Sequence, residues 1–313
     1  MQDFALMMLV AMALEAVFGW PAALFARIGH PVTWAGRLIS GLDKTLNHER
    51  DSFATRRAKG VLALALVVLV VALPALWLQS LLSGTWGIVI GGILAWPLVA
   101  TRSLHDHVAA VARPLADGDL QGCRRAVAMI VGRDPQRLDQ AGVARAALES
   151  LAENASDGIV APLFWGALLG LPGIAAYKAV NTLDSMIGHH TARHAAFGWG
   201  AARLDDLINL IPARLTGFLF ALTSARPGAA LACMAQDARH HRSPNAGWPE
   251  AAMAGGLGIR LSGPRLYGDQ MAQEPFVNAT CPDPGPDELF AGLALFRRGM
   301  LATAGLLLLV ALV

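Results

Sequence analysis

Two apolar runs, 61–78 and 84–100, lie five residues apart and contain no charged side chain. Each is close to the roughly 20 residues that carry a helix across a bilayer. Lipid offers a backbone no hydrogen-bond partners, so such runs must bond within themselves as helices. The pair therefore predicts a helical hairpin in a membrane. Arg56, Arg57 and Lys59 precede it, and Arg102 follows it with further arginines at 113, 124 and 125. Basic flanks gather on the cytoplasmic side, so both ends of the hairpin are expected there.

Composition extends this reading to the whole chain. Of 313 residues, 55% are hydrophobic and 15% charged, where a soluble domain has about a quarter charged. The expected fold class is an all-α, polytopic integral membrane protein forming a single domain. Its apolar segments are 4–18, 61–78, 84–100, 158–177, 207–223 and 300–313, with soluble-like regions at 101–157 and 224–299. A net charge of +2 gives no argument for a nucleic-acid partner. The partner expected from composition is the lipid membrane. Segment 4–18 lacks a basic leader and holds Glu15, so it reads as a retained helix packed on protein around that carboxylate rather than as a signal peptide. Cys123, Cys233 and Cys281 lack metal-site or disulfide spacing and read as plain thiols.

Segment 158–177 differs from the others in carrying Pro162, Gly166, Gly170, Pro172 and Gly173. Its Leu-Pro-Gly suits a type II turn, with Pro and Gly at the central positions. Two half-helices meeting there would make a re-entrant or broken pair, with Glu153 and Lys178 on one membrane face. A plain span would separate them, and the few fixed positive charges in 178–206 lean mildly that way. The Gly/Pro punctuation favours the hairpin. Upstream, a DGD turn at 117–119 and a new helix from Asp134-Pro135 are expected. Segment 207–223 holds Pro212 and Arg214 and is expected to be broken or interfacial.

Polar groups crowd both flanks of this segment. ESLAENASD places Glu149, Glu153 and Asp157 at i, i+4 and i+8 on one helix face. Like charges at that spacing repel by a few tenths of a kcal/mol, and a cation reverses the sign. Mg²⁺ takes one or two carboxylates plus substrate phosphate oxygens, which makes Glu153 and Asp157 metal-ligand candidates. The plainer alternative is a solvated face with Arg145 pairing Glu149. YKAVNTLDSMIGHH sets Lys178, Asn181 and Ser185 along one stripe. Lys178 suits a phosphate as a point cation, and Asp184 is a further metal-ligand candidate. The plainer alternative there is a capped helix end. His189 and His190 are adjacent, point apart, and do not form a metal pair. RLDDLINLIPARL puts Arg203 and Asp206 on one side and Asp205 and Asn209 on another. HDH at 105–107 reads as a solvated face.

The stretch RHHRSPNAGWPE, from Arg239 to Glu250, is a donor-rich loop stiffened by two prolines, better suited to recognition than to packing. The GxxxxGK[ST], GxSxG and HExxH motifs are absent, so any nucleotide is held without a P-loop.

Taken together, HPVTWAGRLI (30–39), MIVGRDPQRLDQAGVARAALESLAENASDGIVAPLFW (129–165), YKAVNTLDSMIGHH (177–190), RLDDLINLIPARL (203–215) and SPNAGWPEAAMAGGLGIRLSGP (243–264) resemble the CobD/CbiB family, adenosylcobinamide-phosphate synthase. The resemblance implies a multi-pass enzyme of the bacterial inner membrane, with its active site on the cytoplasmic side, working in cobalamin biosynthesis. The reaction it implies joins (R)-1-aminopropan-2-ol, or its O-phosphate, to the free propionate of adenosylcobyric acid, with ATP and Mg²⁺. A carboxylate is a poor acyl donor, and phosphorylation to an acyl phosphate solves this. On that reading Glu153, Asp157 and Asp184 are metal ligands, Lys178 is the phosphate cation and His189 the base. Asn154 and Asn181 orient carbonyl or amide groups. Arg239, Ser243, Asn245, Trp248 and Glu250, with Arg203 and Asp206, bind the corrinoid or the amino-alcohol phosphate. A homo-oligomer or contact with other corrinoid-pathway proteins completes the expected partners. Two other classes compete: a transporter, because polar residues beside broken helices also make ion sites, and a non-catalytic scaffold that docks corrinoid enzymes.

Overall fold

Helix follows helix along this chain, because its apolar stretches lack the alternation of a strand and its polar stretches begin at capping residues. The computed structural model describes residues 1–131, 135–189, 191–267 and 270–313, with side chains outside 265–272. The helices are α1 (Gln2–Phe18), α2 (Ala22–Ile28), α3 (Pro31–Leu46), α4 (Phe53–Ser80), α5 (Gly84–Ala95), α6 (Thr101–Ala116), α7 (Leu120–Val127), α8 (Gln140–Ala155), α9 (Ala161–Leu169), α10 (Leu171–Ile187), α11 (Trp199–Ile208), α12 (Leu210–Thr223), α13 (Pro227–Asp237), α14 (Gly247–Leu257) and α15 (Pro286–Leu312). Among the described residues, four helical runs are long and apolar enough to cross a membrane: 53–80, 84–116, 140–187 and 286–312; two bent pairs raise the count to six. On α4, Leu62, Leu66, Leu69, Leu73 and Leu76 recur at helical spacing and stand exposed, as a lipid-facing stripe does. The chain is an all-α polytopic membrane protein.

The residues sort into two compact units. The first comprises Met1–Ala100, Ala161–Asn209 and Leu306–Val313. Its core joins α3, α4, α10 and α11 through Ile39, Leu64, Val67, Val180, Leu183, Ile187 and Ala201, with Phe197 of the preceding loop. Gly60 makes the closest approach: a Cβ there would lie 1.9 Å from the Phe197 carbonyl oxygen, so no larger residue fits. Close backbones joined by small residues are the usual way membrane helices pack. Glu15 of α1 is 2% exposed, as expected of a helix packed around that carboxylate. His30 caps α3, its ring nitrogen accepting the Val32 N–H at 3.2 Å.

The segment 158–177 is broken, but at Gly170 rather than within Leu-Pro-Gly. Gly170 has φ 71° and ψ −149°, outside helical space and in the region where only glycine is unstrained. Pro172 is not the corner of a type II turn. It lies in the first turn of α10, where its missing N–H has no partner to lose. In one straight helix Trp165 and Gly173 would stand about 12 Å apart along the axis. Here a Cβ on Gly173 would lie 2.3 Å from the Trp165 carbonyl oxygen, so the chain turns sharply between α9 and α10.

The loop from α10 to α11 is tied down within the same unit. Arg193 donates to Asp43 Oδ2 through Nε (3.0 Å) and Nη2 (2.7 Å). Its carbonyl accepts from Asn47 Nδ2 at 3.0 Å and from Arg56. Arg56 Nε in turn donates to Asn47 Oδ1 at 2.8 Å.

The second unit comprises Thr101–Val160 and Leu210–Gly305. The expected DGD turn is present, with Gly118 at φ 74°. Asp119 caps α7 through the Gly122 N–H (2.8 Å) and Asp139 caps α8 through the Gly142 N–H (2.7 Å). The helix expected from Asp134-Pro135 thus starts at Gln140, after a single 3-10 turn at Pro135–Arg137; Asp134 lies outside the described residues. Helix α14 is built of small residues, is buried almost throughout, and packs against α8, α12 and α13. Two short antiparallel ladders follow: β1 (Leu261–Ser262) with β4 (Phe276–Val277), and β2 (Arg265–Tyr267) with β3 (Gln270–Ala272). The final apolar stretch, 300–313, is the end of the longer α15, whose first turn is acidic and whose Glu288 accepts the Gly285 N–H at 2.8 Å.

Candidate functional site

In the first unit, α10 and α11 pack against each other and share a polar seam. Tyr177, Asn181 and Asp184 fall at i, i+4 and i+7, so they line one stripe of α10. Asp205 and Asn209, at i and i+4, face them from α11. The Tyr177 hydroxyl donates to Asn209 Oδ1 at 2.9 Å, and Asn209 Nδ2 donates to Asp205 Oδ2 at 3.0 Å. Asn181 lies within hydrogen-bonding reach of Asp205, and Asp184 is the carboxylate whose charge Asp205 feels most strongly. Lys178 Nζ donates to Asn181 Oδ1 at 3.4 Å, a long bond. His30 lies near enough to feel the Lys178 charge.

Asp205 is 8% exposed, and its Oδ1 has no hydrogen-bond partner among the described residues. Buried carboxylate oxygens are normally satisfied, so this one calls for an explanation. Ionisable groups on membrane helices are expensive and are usually functional.

The structure therefore brings together Lys178, Asn181 and Asp184, which the sequence singled out, with Tyr177, Asp205 and Asn209, which it did not. His189 is exposed just beyond α10, close enough for its charge to act on Asp184; His190 lies outside the described residues. Ser185 is exposed and bonds back to the Asn181 carbonyl at 2.8 Å. Arg203 and Asp206 pair with each other at 3.6 Å, with side chains 66% and 34% exposed, and the Asp206 charge acts on Asp184 as well. The sequence showed the pairing of Asp205 with Asn209 but not which aspartate faces inward. In RLDDLIN, Asp205 and Asn209 share a face, and that face is the one turned inward.

The second unit holds the other candidates. Helix α8 ends at Ala155 and passes into a π-helical turn over Ser156–Val160. Such turns often mark functional positions, and this one takes Asp157 off the regular i+8 stripe. Glu153 is exposed and Asp157 half-buried. Asn154 Nδ2 donates to the Ser150 carbonyl at 2.9 Å. Glu149 is not part of a solvated face: it is buried, and its Oε1 accepts the Ser262 N–H at 2.8 Å. Its expected partner Arg145 pairs instead with Asp283, as does Arg260 at 2.5 Å.

The 239–250 loop is as stiff as its prolines suggest. Ser243 Oγ accepts the N–H groups of Asn245 and Ala246, each at 3.2 Å. Trp248 Nε1 donates to the Pro244 carbonyl at 3.2 Å, and the Arg214 guanidinium stacks 4.5 Å from the centre of its ring. Asn245 is buried, with its Oδ1 3.5 Å from Arg214 Nη1. Arg239 is exposed. Glu250 is 1% exposed, accepts the Ser262 hydroxyl at 3.1 Å and lies 3.6 Å from His241 Nε2. Glu250 is thus inside the unit, while Arg239 is at its surface.

Burial, then the Asp237 charge, pushes the Cys233 thiol up to about 12, so it stays protonated and is no nucleophile. Among the described residues, no three His, Cys, Asp or Glu side chains form a ready-made metal site.

The comparison with known proteins decides the family. The model of the CobD/Cbib protein family matches residues 8–296. The chain belongs to that family. Cobalamin biosynthesis protein CobD of Rhodobacter capsulatus is 62% identical over 312 residues, covering 99% of this chain and 98% of that protein. The proteins of the same name from Brucella suis (48% over 313 residues, 97% and 96% covered) and a Sinorhizobium species (43% over 325 residues, 100% and 99%) are similar along their whole length too. These likenesses support a role in cobalamin biosynthesis. No solved structure matches the chain.

Proposed function

We propose that this membrane protein forms an amide bond in cobalamin biosynthesis, joining (R)-1-aminopropan-2-ol or its O-phosphate to the free propionate of adenosylcobyric acid, with ATP as co-substrate. The observation that carries the reading is the polar seam of α10 and α11. A lysine, two asparagines, a tyrosine and two aspartates gather where α10 packs against α11. Family membership supplies the substrate class.

Chemically, the propionate oxygen must become a leaving group. Transfer of the terminal phosphoryl group of ATP gives an acyl phosphate and ADP. The amine nitrogen then attacks the carbonyl carbon, the C–N bond forms, phosphate departs, and one proton leaves the nitrogen. Lys178 is the proposed cation for charge on the transferred phosphoryl group, a role filled by cations in phosphoryl transfer. Asn181 positions Lys178. His189, close to Asp184, is the proposed base, a role worth about 10²–10⁴ in rate. Asp184 in the first unit, and separately Glu153 and Asp157 in the second, are the proposed oxygen donors to Mg²⁺, which prefers carboxylate and phosphate oxygens. Bound magnesium supplies charge shielding for the triphosphate. In the second unit, Arg239, Ser243, Asn245 and Trp248 offer donors and an aromatic face for corrinoid amides or the amino-alcohol phosphate. The proposed setting is the inner membrane, with the chemistry on the cytoplasmic side.

The test is to supply purified protein with adenosylcobyric acid, Mg-ATP and the amino-alcohol phosphate, and to look for the amide and ADP by mass spectrometry. Both products are expected. If neither forms with lipid and with the unphosphorylated amine also tried, the ligase reading is overturned.

A further inference from the structure

The elbow after α1 has no part in the proposed chemistry, and its geometry calls for a different partner. Helix α1 packs along α5, which lies in a run long and apolar enough to cross the membrane. At the end of α1 the chain turns by 110° into α2 and α3. With α1 along the membrane normal, α2 and α3 therefore run near the membrane plane. Both ends of this stretch reach one face. Three residues join α4 to α5, so α5 returns to the face from which α4 starts. Trp96, just past α5, donates its indole N–H to the Gly19 carbonyl at 3.0 Å, which puts the end of α1 on that face too. Residues 19–52 thus lie along a face instead of crossing. The basic flanks of 61–100 mark that face as cytoplasmic.

The corners of the elbow suit the boundary between lipid and water. Gly19 and Gly29 have φ 57° and 72°, outside helical space. The carbonyls there receive indoles: Trp96 bonds Gly19, Trp34 bonds Ile28 at 2.9 Å and Trp20 bonds Gly29 at 3.3 Å. Irregular backbone beside hydrocarbon needs such partners, and tryptophan gathers at that depth. Phe18, Phe25 and Ile28 stand exposed around these corners. On α3, Trp34, Arg37, Gly41 and Lys44 fall at i, i+3, i+7 and i+10, forming one exposed stripe. A Cβ on Gly41 would meet nothing within 4 Å, so the stripe is uncovered. Arg37, Lys44 and the exposed Arg27 of α2 form no ion pair among the described residues.

We propose that α2 and α3 form an in-plane anchor in the cytoplasmic headgroup layer. Phe18, Phe25 and Ile28 enter the acyl boundary, and Arg27, Arg37 and Lys44 hold anionic phospholipid headgroups. Lipid is favoured over a protein partner because the apolar groups continue directly from α1, which packs on a membrane-crossing run, and lie beside cations, the composition of interfacial segments. The anchor does not depend on the amide-forming reading, and neither arm of its test uses substrate.

In the first arm, the full chain with its native cysteines replaced by serine carries a nitroxide at Phe25→Cys, Ile28→Cys or Glu49→Cys in nanodiscs. Electron paramagnetic resonance compares collision with oxygen, which enters lipid, and with a nickel chelate, which stays in water. The labels at 25 and 28 should favour oxygen and the label at 49 nickel. In the second arm, which keeps the native cysteines, native mass spectrometry counts lipids retained from mixed phosphatidylcholine and phosphatidylglycerol. Phosphatidylglycerol should be enriched, and Arg27→Gln, Arg37→Gln and Lys44→Gln should each lower its affinity by about five-fold. Thermal unfolding checks that each variant is folded. Labels at 25 and 28 that favour nickel overturn the anchor and leave the apolar face to a soluble partner. Equal retention of both lipids, unchanged in the Gln variants, overturns the headgroup assignment.

Discussion

Both units bury carboxylates, but they treat them differently. In the second unit the buried Glu149 receives a backbone N–H and the buried Glu250 a hydroxyl, and the half-buried Asp283 receives two guanidinium groups. Each is satisfied by the fold, and each ties a helix to the strand-bearing segment 260–283. In the first unit Asp205 is held at one oxygen and left open at the other. The lesson is that burial alone does not mark a functional acid. Incomplete satisfaction does, because a purely structural group has every reason to be completed.

That contrast can be broken or sharpened by substitution. Lys178→Ala should have the largest effect, lowering amide formation by about 10²–10³-fold with little change in melting temperature, as loss of a preorganised electrostatic group does. Steady-state rates beside calorimetry check it, and a fall in stability of matching size would make Lys178 structural. Glu149→Ala should do the opposite. It strands the Ser262 N–H in the interior and should destabilise by about 1–3 kcal/mol while folded protein keeps its activity. Gly60→Ala should also act on stability alone, by about 1–3 kcal/mol, because the new methyl meets the Phe197 carbonyl.

Acid sharpens the comparison further. The hydrogen bond from Arg260, helped by the Arg145 charge, holds the Asp283 carboxyl below the usual carboxylate range. Its stabilisation is complete above the unfolded aspartate value and is lost as pH falls through the lower folded value. Melting temperature should therefore drop below about pH 4, and Asp283→Asn should flatten that part of the profile. The smallest effect is expected at Arg203→Ala. Its pair with Asp206 is largely exposed, so stability should change by no more than about 0.5 kcal/mol.

Fold class was legible in the sequence because the hairpin of 61–100 leaves little choice, and the break in 158–177 was legible from its glycines and prolines. The exact corner was not, since Gly170 and Leu-Pro-Gly are adjacent and proline serves equally at a turn or at a helix start. Within the seam, Lys178, Asn181 and Asp184 were visible as polar residues in an apolar context. Asp205 was not separable from Asp206, because adjacent aspartates carry the same composition and only tertiary packing says which faces inward. Glu149 misled for a related reason. Its i+4 spacing to Glu153 is real, but its partner Ser262 lies over a hundred residues away, and no local pattern shows that.

The tie between Arg193, Asp43, Asn47 and Arg56 bears on how the α10–α11 seam behaves before anything binds. The loop joining the two helices is pinned by residues some 140 positions earlier in the chain. Its conformational freedom has thus been surrendered during folding, not at the moment of association. A small ion or phosphate entering the seam meets side chains already in place, and its binding free energy is not drained by ordering the chain around it. Loosening Arg193 should therefore weaken a ligand that Arg193 never touches.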